Sequence, residues 1–91
     1  MLSSLAIEEA LRIVKTELHR AGAKHGLTFA SPHEAMSVLR EELDVELWEH
    51  VCHDTGRTIE AANEASQVAA MAIKYMINFD PRLRDLAALG K

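Results

Sequence analysis

Ninety-one residues with a formal net charge of −4 make one small domain at most, taken as residues 1–91. No basic run exists to face a phosphate backbone, which argues against a nucleic-acid polymer as partner. No apolar run approaches ~18 residues, which argues against a membrane span.

The first helix is expected over residues 5–20. Ser3 or Ser4 is its N-cap candidate, Glu8 and Glu9 lie near the favourable end of the helix dipole, and Ile7, Leu11, Val14 and Leu18 recur at helical steps. Gly22 and Gly26 bracket a loop over residues 21–30. Ser31-Pro32-His33-Glu34 reads as N-cap, N1 proline, N2 and N3 glutamate, a capping box with proline in its preferred place. That helix should run to about Cys52, with Leu39, Leu43, Leu47 and Val51 as its core stripe, and end at Asp54-Thr55-Gly56. A third helix, from Arg57 or Thr58 to about Asn78, carries a broad apolar face of Ala62, Ala65, Ala69, Ala72, Ile73 and Met76. Asp80-Pro81 breaks the chain, and a short last helix is expected over residues 81–89, stopped by Gly90.

No strand-like alternation, repeat or low-complexity tract appears, so the fold class is all-α: three main helices plus a short C-terminal helix. Hydrophobic residues are 48% and aromatics 4%, so the core must be aliphatic and rich in alanine and methionine. A chain this short buries a modest core, and self-association is expected to complete the bundle. The single cysteine, Cys52, and an N-terminus without basic and apolar leader regions lead us to expect a reducing, cytoplasmic setting.

The chemistry concentrates in Glu41, Glu42, Asp44 and Glu46 on one helix and Glu64 on the next. At ~100° per residue, Glu42, Glu46 and Glu49 share one flank of the leucine stripe. Glu60, Glu64, Gln67 and Met71 line one strip of the third helix. Antiparallel packing would bring Glu64 towards Glu42 and Glu46. Oxygen-only ligands suit Mg²⁺, Mn²⁺ or Ca²⁺; the plain alternative is a solvated acidic face. His50, Cys52 and His53 fit no common zinc spacing. Trp48 is expected to pack within or between subunits rather than stack on a base. Met71, Tyr75 and Met76 are expected in core or interface, and Cys52 as a small buried or half-buried hydrophobe. His33 is expected to cap its helix, and Arg82 and Arg84 to be solvated or to contact a neighbouring subunit.

Three blocks carry a family resemblance: Arg20 to Gly26; Ser31 to Ala35 with Val38 to Asp44 and Glu46 to Glu49; and Glu64 to Ile73. Together they resemble the small bacterial and phage branch of the MazG-like nucleotide pyrophosphohydrolases, over residues 15–79. The resemblance implies an all-α bundle associating as dimers or tetramers, with Mg²⁺ (or Mn²⁺) held by E-x-x-E and E-x-x-D motifs. It implies cleavage of a nucleoside triphosphate to monophosphate and pyrophosphate. Glu42, Glu46 and Glu64 would then hold metal, and Glu41 or Asp44 would be a further ligand or the base for water. Lys24, His25 and Lys74 would neutralise the departing pyrophosphate. Two departures stand out. Val45 stretches the Glu-Glu-x-x-Glu pattern, and one extra residue in an α-helix rotates all later side chains by about 100°. Gln67 replaces the aspartate; its neutral amide is the weaker ligand, and it is grouped with the substrate-binding residues. The alternative expectation is a non-catalytic helical oligomer that binds nucleotide or serves as an interaction module.

Overall fold

A computed structural model describes residues 3–83, 85 and 86. Its helices are α1 (Ser4–His25), α2 (Pro32–Arg40), a π-helical segment (Glu41–Leu47), α3 (Trp48–His53) and α4 (Ile59–Phe79). No strand occurs among the described residues, so the all-α expectation holds. The expected last helix lies mostly outside the described residues, as do its Gly90 stop and Arg84. Pro81 to Leu83 form a turn.

Local chemistry explains the boundaries. Ser3, Ser31 and Thr58 each accept a hydrogen bond from the backbone N–H three residues on, satisfying a donor the helix leaves free. Glu34 reaches one residue past the N-cap: its Oε1 accepts from the Ala30 N–H at 3.3 Å rather than from the Ser31 N–H that a full capping box would use. His33 is exposed and makes no side-chain cap; Ser31 caps the helix instead. The first helix outruns its expected end by more than a turn, to His25. Gly22 lies inside it because Leu27 folds back there; a Cβ on Gly22 would sit 2.7 Å from Leu27 Cδ2. The stop falls at Gly26, whose φ of 78° suits glycine and whose N–H donates to Gly22 O at 2.8 Å.

α4 is the hub. α1, α2, the π segment and α3 all pack on it, and among the described helices the α1 backbone comes close to α4 alone. The core gathers Ala21, Phe29, Ala35, Ala70 and Met71, with Val14, Leu18, Val38, Leu39, Tyr75 and Phe79 against it. Ala35 and Ala70 have no exposed surface, marking where backbones come closest.

Much of the expected core is elsewhere. Leu39 packs inside, but Leu43 and Val51 are exposed; together with Leu47 and Trp48 they border an open apolar groove. Trp48 is 59% exposed, so the described residues leave most of it uncovered. α4 turns Ala61, Ala70, Met71 and Lys74 inward, and Ala62, Ala65, Ala72 and Met76 outward. The richer alanine face is therefore uncovered. Cys52, expected at least half-buried, is exposed. The radius of gyration, 14.2 Å, exceeds the ~13 Å of a compact 100-residue domain, as suits a bundle with uncovered faces.

The end of α3 is clipped by His50 Nδ1 against Asp54 Oδ2 at 2.6 Å. The hydrogen bond from Asp54 raises the His50 pKa above its ordinary 6.5, and the same bond lowers that of Asp54. A raised histidine stabilises fully below its unfolded value and loses that stabilisation as pH climbs through the folded value. The lowered aspartate contributes above its own unfolded value and is lost in acid. The difference in urea midpoint between wild type and His50→Gln should thus be widest near about pH 5.5 and shrink by about pH 8.5. A constant difference across that range would show that the pair carries no charge-dependent stability.

A charged cleft between three helices

A cleft of about 520 Å³ opens between α1, the α2/π helix and α4. α1 contributes Glu17, Arg20, Lys24 and His25 to its wall, and the following loop adds Phe29. α2 and the π segment contribute Glu34 and Glu42, and α4 contributes Gln67, Met71 and Lys74. Lys24 and His25, expected in a loop, stand on the last turn of α1. All four residues grouped for substrate binding, Lys24, His25, Gln67 and Lys74, border this one cleft.

The acids divide. Glu42 is half-buried and lines the cleft. Glu64, one turn from Gln67 on α4, is joined to it through an amide. With the Gln67 nitrogen facing the acids, Nε2 donates to Glu42 Oε2 at 3.0 Å and to Glu64 Oε2 at 3.3 Å. One N–H₂ group thus draws two carboxylates from different helices together. Desolvation raises the Glu42 pKa first; the charges of Glu46, Glu64, Glu17 and Glu41 add to the rise, in that order. Glu46 is exposed beside Glu42, and Glu41 lies on its outer side, bordering a shallow recess with Ser37 and Val38. Asp44 faces away from the cleft: it stands 3.7 Å from Arg40 and borders the Trp48 groove.

The stretched pattern is absorbed rather than propagated. Residues 41–47 form a π-helix, and the Trp48 N–H reaches back five residues to Leu43 O. A π turn closes over one residue more than an α turn, so the additional residue widens the helix locally. Glu46 accordingly stays near Glu42. Deleting Val45, which is 56% exposed, should convert the segment to α-helix and leave Trp48 on its present face. The deletion variant should keep its helical content and melt no lower than wild type. A fall of several degrees would show that downstream residues had rotated out of place.

Sequence reasoning missed Glu17, Arg20, Phe29 and Asn78. Glu17 and Arg20 pair at 2.5 Å, with the Glu17 side chain only 15% exposed. The Arg20 hydrogen bond holds the Glu17 carboxyl below its usual range. Their signal was present: Glu17, Arg20 and Lys24 recur at steps of three and four along the face that carries Ala21. Asn78 gave none, because its partners lie 49 and 51 residues away.

The charges in the cleft are unevenly satisfied. Glu17 has Arg20, and Glu34 has the Ala30 N–H. Among the described residues Glu42 has only a neutral amide and the Lys74 ammonium has no acidic partner; no side-chain nitrogen or oxygen there is both buried and without a hydrogen bond, so the ammonium reaches the solvent of the cleft. Among the described residues, no three His, Cys, Asp or Glu side chains stand close enough to hold a metal ion by themselves. Mg²⁺ asks for less, one or two carboxylates with phosphate oxygens completing the shell, and the Glu42–Glu64 pair supplies hard oxygens of that kind. These two carboxylates would need phosphate oxygens from a ligand to complete the shell of such a cation. No helix of the described chain is long and apolar enough to cross a membrane. No family model, curated protein or solved structure matches the chain.

Proposed function

We propose that the protein is a Mg²⁺-dependent nucleoside triphosphate pyrophosphohydrolase of MazG-like type, acting in the cleft between α1, α2 and α4. One observation carries the reading. A half-buried carboxylate pressed by other carboxylates borders the same cavity as Lys74, a residue buried along its stem whose ammonium meets the cleft with no acidic partner among the described residues. A metal–polyphosphate ligand satisfies both at once, because its cation neutralises the acids and its phosphates neutralise the lysine.

Glu42 and Glu64 hold the cation in this reading, with Glu46 adding negative potential beside them. Mn²⁺ offers the same coordination. When bound, the metal polarises the phosphoryl oxygens and orients water. Gln67 positions the two carboxylates through its amide. Glu46, exposed beside Glu42, is the carboxylate that would take the proton from water, whereas Glu41, on the outer side, and Asp44, turned to the opposite face, are not used. Lys24 and His25 line the side where pyrophosphate departs.

A panel of nucleoside triphosphates with Mg²⁺ tests this, with pyrophosphate release as readout. Turnover of at least one nucleotide, abolished by chelator, is expected. Folded protein inert across the panel would overturn the proposal.

Uncovered apolar surface favours an added feature, self-association. Ile13, Val14, Ile59, Ala62, Ala65 and Ala69 border one apolar groove, and Leu43, Leu47, Trp48 and Val51 another. A dimer or tetramer in sedimentation velocity is the expected result. A multimer without turnover would leave the non-catalytic assembly as the reading.

A further inference from the structure

A second recess, of about 410 Å³, opens between α1 and α4 beside the charged cleft. Glu17, Arg20 and Gln67 border both spaces, so the Glu17–Arg20 ion pair is a ridge that the two share. The chemistry changes across that ridge. In the cleft, acids and cations face each other. In the recess, Thr16, Asn63, Ser66 and Gln67 bring hydroxyls and amides, and Ile13 brings an apolar side chain. Arg12, the other cation there, is forked onto Glu9 at 3.0 and 3.1 Å. Both guanidiniums bordering the recess thus have a carboxylate of their own. A paired guanidinium still offers a flat face on which a planar ring can stack.

The two helices change character in the same order. Along α1, Arg12 and Thr16 border the recess, Glu17 and Arg20 the ridge, and Lys24 and His25 the cleft alone. Along α4, Asn63 and Ser66 border the recess, Gln67 both spaces, and Met71 and Lys74 the cleft alone. Asn63, Gln67 and Lys74 point within about 40° of one direction, and from first to last they cover about 16 Å of helix. Neutral polar groups therefore stand at one end, the Glu42–Gln67–Glu64 group in the middle and cations at the other. A nucleoside triphosphate carries its chemistry in the matching order: an uncharged base and sugar, then the phosphates. Within the recess, the Asn63 carbonyl accepts from Ser66 Oγ at 2.7 Å and fixes that hydroxyl. The Asn63 side-chain amide is exposed on the recess wall, with donors and an acceptor side by side.

The geometry points to a nucleoside subsite in this recess, with the base between Arg12 and Ile13, its polar edge on the Asn63 amide, and the sugar hydroxyls on Thr16 and Ser66. The volume suits a ligand of that size. The phosphates then run past Gln67 towards Lys74. That direction rests on the proposed function, whereas the nucleoside site itself needs no turnover.

Titration of isotope-labelled protein with unphosphorylated nucleosides, chelator present, tests it through the side-chain amide resonances. At low-millimolar concentration, at least one of adenosine, guanosine, cytidine, uridine and thymidine should move the Asn63 amide pair. The Asn78 pair should stay, because that amide is occupied in bracing Phe29 and Leu27 to the Lys74 turn. In Asn63→Leu, the same nucleoside should leave the Thr16 and Ser66 resonances unmoved. If triphosphates are hydrolysed, Asn63→Leu should lower kcat/KM for them about 10-fold and leave competition by inorganic triphosphate unchanged. No movement of Asn63 with any nucleoside, equal movement of Asn63 and Asn78, or a kcat/KM untouched by Asn63→Leu would each overturn the inference. The first of these, found together with turnover, would sink the subsite and leave the hydrolase. Movement of Asn63 by a nucleoside, with every triphosphate left intact, would do the reverse.

Discussion

Glu42→Gln should melt at a higher temperature than wild type at neutral pH and lose Mg²⁺-dependent turnover by more than about 100-fold. Both halves follow from one side chain. In the free protein, ionised Glu42 is poorly hydrated and faces the charges of Glu46, Glu64, Glu17 and Glu41. Its folded pKa stands above 4.5, so the folded chain keeps this proton to higher pH than the unfolded chain does. Stability therefore falls as pH rises through that interval, and at pH 7 the whole cost is present. The amide removes it while its oxygen still accepts from Gln67. The advantage of the variant should vanish below about pH 4.5, where wild type is protonated in both states. Added Mg²⁺ with nucleotide should reverse the ranking, because only wild type gains from the ligand. Parallel melts at about pH 4 and pH 7, with and without ligand, read all of this. A variant that melts lower than wild type at pH 7 would show that Glu42 holds the fold together rather than standing poised as a ligand.

Ala70→Leu should cost about 1–3 kcal/mol through overpacking, and each kcal/mol lowers the melting temperature by about 4–8 °C in a domain this small. Ala70 has no exposed surface and belongs to the same cluster as Ala35, Ala21 and Phe29. Three further carbons there must push α4 away from its neighbours, and they would also disturb the cleft, since Met71 and Lys74 follow on the same helix. Ala72→Leu is the internal control. It lies two residues on, faces outward, and raises no steric conflict within the chain. Thermal melts of the two variants at low concentration should differ by many degrees. Equal melting temperatures would show that the close approach at Ala70 is soft.

The fold was legible where a residue acts on its own neighbours. Ser31-Pro32-His33-Glu34 fixed the start of α2 and Thr58 that of α4, whereas α1 runs past its expected end at residue 20 as far as Gly26. It was illegible where two apolar faces competed. On α4 the alanine-rich face looked like the core by composition, yet Ala61, Ala70, Met71 and Lys74 go inside. Hydrophobic periodicity reports that a face is apolar and does not say whether the same chain covers it. The leucine stripe erred for the same reason, and the π segment compounds it, because counting at ~100° per residue fails across residues 41–47.

The site was half legible. Lys24, His25, Gln67, Lys74 and Glu42 share one cleft, while Asp44 does not. The linking of Glu42 to Glu64 follows from helix packing that spacing only suggested. The Phe29–Asn78–Lys74 brace spans about half the chain and leaves no local pattern.

That every other described helix leans on α4, and that the α1 backbone approaches no other described helix, sets an order of events in synthesis. Residues up to the 58th can coil into helical turns as they emerge, but they have no surface on which to dock. Docking waits for the last long helix, and the contacts it makes with α1 close the longest loop in the molecule, the slowest kind of step. A fragment truncated before Thr58 should therefore lack cooperative melting, and adding a separate peptide of residues 58–83 should restore it.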